Sequence, residues 1–147
     1  MRRFPSILLS IGLAAFNAPA HAADALPAAV SPADTSAART AILAQIKAFA
    51  ADDATRAFSF ATPQLREMIG TPENFISMVR RNYPVVYRPA SVAFLKPERD
   101  ADAVVQAVHM TDADGVLWLA LYRLERQPDK NWRISGCQVV QGRGQTT

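Results

Sequence analysis

Proton transfer near neutral pH needs a carboxylate or an imidazole whose pKa is set by burial, and this chain offers few of either in a suggestive place. Asp53, Glu67 and His109 are the candidates. Asp52 and Asp53 are adjacent carboxylates that could perturb one another, yet neighbours at a helix start point in different directions, and capping accounts for both. His109 follows a strand pattern that sets it beside Leu117 and Leu119, so a structural or interfacial histidine is the simpler reading. A second set could bind rather than react. Arg81, Tyr83, Tyr87 and Arg88 surround a segment stiffened by Pro84 and Pro89. Such a rim can orient a carboxylate or another small anion at a pocket mouth, with Trp118 as an aromatic wall. Against it, Arg80 and Arg81 also suit the negative pole of a helix end, and Trp118, Tyr122 and Trp132 read most simply as core.

Metal and cofactor chemistry finds no support. Cys137 is the single cysteine and His109 one of two histidines, so the usual Cys/His zinc set cannot be assembled, and an intramolecular disulfide is excluded. Gly-rich phosphate loops and nucleophile-elbow patterns are absent, and no cofactor is expected.

The elements that must position these residues fall into two halves. Met1, Arg2 and Arg3 precede the apolar run Ile7 to Phe16, and Ala20-His21-Ala22 follows it. This is the pattern of a signal peptide cut before Ala23, which predicts a periplasmic or secreted protein with no stable membrane anchor. Loss of Arg2 and Arg3 leaves 14 basic against 13 acidic residues, and that near-neutral balance argues against nucleic acid as a partner. Residues 23–35 read as a flexible linker, 36–141 as one domain and 142–147 as a disordered tail. Within the domain, Ile42, Ile46, Phe49 and Ala50 mark an amphipathic helix from Ser36 to about Ala51. A short helix over Ala54 to Ala61 follows. Thr62-Pro63 and Thr71-Pro72 start two more, the first ending at Gly70 and the second, with Phe75, Met78, Val79 and Tyr83 inward, at Pro84.

After Pro89 the period becomes two, and four strands are predicted: Ser91–Lys96, Val104–Thr111, Val116–Arg126 and Trp132–Val140. Three-residue turns at Ala113-Asp114-Gly115 and Pro128-Asp129-Lys130 fix a register that sets Met110 opposite Trp118 and Leu124 opposite Ile134. One face thus collects Val104, Val108, Met110, Trp118, Tyr122, Leu124, Trp132 and Ile134 against the helices. A bulge at Gly136 would return Cys137 to that face. The reverse face carries Leu117, Leu119 and Leu121. Leaving three leucines in water forgoes roughly 1.5–3 kcal/mol each, which predicts either a homodimer through this face or a covering layer from residues 23 to 35 or from the crossover.

The run from Ala48 to Ala61, together with Phe75-Ile76-Ser77-Met78-Val79, Tyr83 to Pro89 and Trp132 to Cys137, resembles a bacterial family known as domain of unknown function 4864. That family is in turn similar to the nuclear-transport-factor-2-like superfamily. The resemblance implies an α+β fold in which N-terminal helices pack on a curved four-stranded antiparallel sheet to form a cone. It implies function less, since such cones host isomerases, dehydratases, cyclases and non-catalytic binding modules. The leading expectation is a binding module for a small apolar or anionic ligand or a protein partner. The alternative is a cone-pocket enzyme with Asp53 or Glu67 facing Tyr83, Tyr87 or His109 in a cavity.

Overall fold

The computed structural model describes residues 28–142, so the expected signal segment and residues 143–147 lie outside the described residues. The first helix, α1, spans Pro32–Ala50 and begins four residues before the expected Ser36, within the stretch expected as linker. Ser31 explains the difference: its hydroxyl accepts from the Asp34 amide, and Pro32 takes the first helical position where its missing N–H costs nothing. Ala38, Ile42, Ile46 and Phe49 are buried along one stripe, while Ala50, expected inward, is exposed.

Helix α2 (Ala54–Ser59) is capped by Asp53, α3 (Pro63–Ile69) by Thr62 and α4 (Pro72–Asn82) by Thr71, each accepting from the amide three residues on. Gly70 ends α3 at φ 96°. A one-turn helix, α5 (Pro84–Tyr87), occupies the crossover between helices and sheet. It buries Val85 and Val86, the two apolar residues that follow Pro84.

Among the described residues the sheet has five strands rather than four: β1 (Ser91–Phe94), β2 (Glu98–Asp100), β3 (Ala103–Thr111), β4 (Leu117–Arg126) and β5 (Trp132–Gln141). All pairings are antiparallel, in the order β1-β3-β4-β5, and β2 also pairs with β3. Strand β2 escapes pattern reading because Glu98-Arg99-Asp100 carries no apolar alternation, and its turn into β3 puts Ala101, in place of a glycine, at φ 52°. The remaining register is the expected one, with Met110 opposite Trp118, Val108 opposite Ala120, and Leu124 opposite Ile134. Gly115 and Lys130 complete the two hairpin turns at φ 78° and 69°. The ladder shifts between Arg123 and Leu124, so that Gly136 faces Arg123 and Cys137 returns to the helical face opposite Tyr122.

The sheet curls. β2 and β5 lie on opposite sides of the β3–β4 pair, yet Arg99 (3.4 Å) and the Trp132 indole N–H (3.3 Å) both reach the Asp34 carboxylate at the start of α1. A second tie, between the Ala61 segment and Ile134, fixes the helices to β5 through Thr62 N–H to Ile134 O (2.9 Å) and Ile134 N–H to Phe60 O (2.8 Å). On the reverse face Leu117, Leu119 and Leu121 are each only half-buried, so the apolar surface at stake there is smaller than three fully exposed leucines. Residues 32–35 pack on the helical side through Asp34, so that part of the expected linker is not a covering layer.

Candidate functional site

Helices α1, α3 and α4 meet the inner face of β4 and β5 around a cavity of about 210 Å³. Its wall follows from the patterns that make the elements. Phe49 and Phe75 approach edge to face with ring centroids 5.3 Å apart, closing one side. Leu65 and Ile69 cover it from α3. Met78 and Tyr83, expected in the core, stay partly exposed and line this space. The floor is Tyr122 on β4 with Ile134 and Cys137 on β5, and it is the bulge before Gly136 that turns Cys137 toward it.

Among the described residues, no acidic or basic side chain lines the cavity. Its polar groups are the Gln45 amide, the Tyr83 and Tyr122 hydroxyls and the Cys137 thiol. Gln45, 3% exposed, spends its amide N–H on the Ala57 carbonyl at 3.2 Å. Tyr122 is 1% exposed, and its hydroxyl has no nitrogen or oxygen partner among the described residues, only the Cys137 thiol beside it. Sulfur is a weak partner, so part of the roughly 1–3 kcal/mol cost of an unmet group remains. Burial, and next the Cys137 thiol across the ladder, push the Tyr122 phenol well above its ordinary value. Burial likewise pushes the Cys137 thiol up to about 12. Both are therefore neutral at physiological pH, and the thiol is not a nucleophile there. The arrangement can enclose a small uncharged molecule among apolar side chains.

The carboxylates and the imidazole singled out in sequence do not reach this cavity. Asp53 is exposed and caps α2, its Oδ1 accepting from the Arg56 amide at 3.1 Å. Glu67 is exposed on α3. His109 lies on the reverse face of β3, paired with Ala93 and Leu119. These positions correct the expectation of a buried acid facing Tyr83, Tyr87 or His109, since helix capping holds Asp53, the exposed side of α3 carries Glu67 and strand alternation turns His109 away.

The expected rim of Arg81, Tyr83, Tyr87 and Arg88 is only partly assembled. Asp52, at φ 55° in the turn after α1, is gripped by the Tyr87 hydroxyl, by Arg88 at 3.1 Å and by Arg80 at 3.3 Å. Arg80 and Arg88 also stack over the Tyr87 ring at 5.1 and 4.9 Å. The anion held here is thus the chain's own carboxylate. The Tyr87 hydrogen bond, followed by the Arg88 and Arg80 charges, holds the Asp52 carboxyl below its usual value. Arg81 is exposed and takes no part in this cluster; it is its neighbour Arg80 that pairs with Asp52. Tyr83, Arg88 and Trp118 do converge, on a second hollow of about 330 Å³ whose other wall includes Asp112 and Asp114. Trp118 donates there to Asp112 at 2.9 Å. That hydrogen bond, with those from the Val116 and Asp114 amides, holds the Asp112 carboxyl below its usual value. Two carboxylates make this hollow a poor home for an anion.

Alternation and the glycine bulge place Tyr122 and Cys137 on the correct face, but from sequence both pass for packing. The usable signal is a hydroxyl-bearing aromatic residue opposite the one cysteine on an inward face, at the position a glycine bulge re-aims. Gln45 gives no signal beyond a polar residue in an apolar helical stripe. Among the described residues, no three His, Cys, Asp or Glu side chains converge as a metal site, and no helix is long and apolar enough to cross a membrane.

A model of the family described as a domain of unknown function (DUF4864) matches residues 31–147. No curated protein matches the chain. Among solved structures, Aln2 from a Streptomyces species is similar with a TM-score of 0.50 and 14% identity, over 78% of this chain and 94% of that one. An NTF-2 like protein of unknown function from Burkholderia xenovorans is similar with a TM-score of 0.43 and 15% identity, over 69% of this chain and 84% of that one. The likeness to Aln2 is one of fold: helices followed by a curved antiparallel sheet.

Proposed function

This chain belongs to the family described as a domain of unknown function (DUF4864), and from that premise we propose that it is a non-catalytic binding module that takes a small molecule into the cavity between its helices and its sheet. Membership supplies an architecture that serves binders and enzymes alike, so the proposal rests on one observation. The cavity is preformed and apolar, and none of its lining residues is a carboxylate, an imidazole or an ionised thiol. A cone-pocket isomerase, dehydratase or cyclase needs a base within hydrogen-bond reach of the bound substrate. With Asp53, Glu67 and His109 all elsewhere, this arrangement favours binding over turnover. Native mass spectrometry of the protein isolated from its own cell tests the reading. A retained small molecule whose signal is lost on denaturation is the expected result. Chemical conversion of that molecule by the pure protein would establish the enzyme reading instead.

The leader at residues 1–22 supports export to the periplasm or beyond, and amino-terminal sequencing of the exported protein should begin at Ala23. Half-buried Leu117, Leu119 and Leu121 on the reverse face support self-association through the sheet. Light scattering should report a dimer that Leu119→Glu dissociates with the fold retained. A wild-type monomer at every accessible concentration refutes the dimer.

A further inference from the structure

We infer that a second site lies outside the cavity, in the groove between α1 and the segment joining β1 to β2, and that it takes an organic anion: a carboxylate or phosphate group on a short apolar chain. The groove encloses about 490 Å³, a size suited to a small molecule. One wall is a single stripe of α1, on which Thr35, Ser36, Arg39, Thr40 and Leu43 recur at helical spacing, and Lys96 stands on the other wall. Among the described residues, Arg39 and Lys96 are its charged lining and no carboxylate joins them. The acids adjoining it in sequence are committed elsewhere. Asp34 pairs with Arg99 and accepts from the Trp132 indole, and Glu98 lines a neighbouring hollow.

Arg39 decides the class of ligand. Gln106 is fully buried on β3; its amide donates to the Leu95 and Ala107 carbonyls at 2.7 and 2.8 Å, and its Oε1 accepts from Arg39 Nε at 3.3 Å. Arg39 Nη2 donates to the same Leu95 carbonyl at 3.1 Å, and the guanidinium lies over the Phe94 ring at 5.3 Å. A buried glutamine, a carbonyl and a ring thus hold the guanidinium at the groove in advance, which removes an ordering cost that a ligand would otherwise meet. Its charge is nevertheless unspent. Arg80, Arg88, Arg99, Arg123 and Arg133 each pair with an aspartate, whereas Arg39 has no carboxylate partner among the described residues. Its Nη1 has no partner there either and is not buried, so solvent reaches it. Two N–H groups side by side on a planar cation match two oxygens of a carboxylate or phosphate. Leu43, exposed one turn further along the same stripe, offers apolar surface to the chain that carries them.

Four probes test the site: hexanoate, hexyl phosphate, hexylamine and inorganic phosphate, each titrated against the isotope-labelled protein with backbone amide shifts as the readout. Hexanoate and hexyl phosphate should move the amides of Thr35 to Leu43 and of Lys96 while those of Phe75 and Ile134 in the cavity stay still, and the tighter of the two names the head group. Hexylamine, with the same chain and the opposite charge, should bind about 10-fold more weakly than hexanoate or worse, and inorganic phosphate more weakly than hexyl phosphate. Arg39→Gln should weaken both organic anions about 10-fold or more, as expected of a hydrogen bond to a charged group, and Lys96→Gln about 2- to 5-fold, as expected of an exposed ion pair. Lys96 is exposed, so its variant reads the site even where Arg39→Gln loosens the fold. Hexylamine binding as tightly as hexanoate, inorganic phosphate binding as tightly as hexyl phosphate, anion affinity unchanged in Lys96→Gln, or shifts confined to the cavity would each overturn the inference, as would no shift with any probe.

Discussion

Asp52 and Tyr122 face the same requirement, a polar group in need of hydrogen-bond partners, and the molecule treats them in opposite ways. Asp52 is exposed and over-provided: a tyrosine hydroxyl and two guanidinium groups close on its carboxylate, and the two cations stack on the same ring. Tyr122 is buried and under-provided: its hydroxyl has no nitrogen or oxygen partner among the described residues, only the Cys137 thiol. The Asp52 cluster has the residue types that announce chemistry, but its charges are spent on one another, and exposed pairs of this kind contribute little to stability. The cavity has residue types that announce packing. Burying a phenol with only a thiol beside it carries a cost in stability that the exposed cluster avoids.

The contrast can be broken or sharpened by substitution. Phe49 is 1% exposed and braces Phe75 at the cavity wall, so Phe49→Ala should lower the unfolding free energy by about 3–5 kcal/mol in chemical denaturation. If an equally large loss followed Asp52→Asn, the division into core and surface clusters would fail. Filling the cavity should work the other way. Cys137→Leu adds apolar volume at a position that lines empty space, and cavity-filling changes commonly add about 0.5–2 kcal/mol; the same variant should lose any ligand that wild type retains in native mass spectrometry. Stabilisation with binding intact would place the ligand elsewhere.

Alkaline titration reads the buried cluster directly. With the Cys137 thiol at about 12 when folded against 9.0 for the ordinary value, the unfolded chain ionises first. Its contribution to stability is thus complete below about pH 9 and is lost as pH rises toward about 12. At pH 8 the folded protein should resist iodoacetamide that modifies the unfolded chain at once; rapid labelling of the native state would show the thiol to be accessible and activated. The smallest effect belongs to Asp52. Its folded pKa lies below the ordinary 3.8, so its stabilising contribution is present above that value and fades as pH falls through the lower folded one. Asp52→Asn should therefore flatten the acid limb of the stability curve slightly and leave neutral pH almost unchanged; a steeper limb would contradict the assigned hydrogen bonds.

Much of this architecture is a local matter and is legible residue by residue. Thr62-Pro63, Thr71-Pro72 and Gly70 set helix ends through caps and a positive φ, and Gly115 fixes a hairpin register that carries every side chain of β3 and β4 to its correct face. Even the bulge before Gly136 can be argued from the need to turn Cys137 inward. Strand β2 is not legible, because its three charged residues pair only where β3 already lies alongside; the helical start at Pro32 is legible only from the Ser31-Pro32 cap, since Ala33 to Thr35 carry no apolar period.

What the sequence determined by itself is the order and type of the elements other than β2 and the one-turn α5, the inner face and the small supply of acid–base groups, since all of these follow from propensity, alternation and composition over a few neighbouring residues. Only the tertiary structure decided which polar groups meet. Asp52 finds Arg80, Tyr87 and Arg88 some thirty positions away, and Tyr122 finds only the Cys137 thiol. Hydrogen-bond satisfaction depends on distances across the whole fold, and no local pattern encodes them.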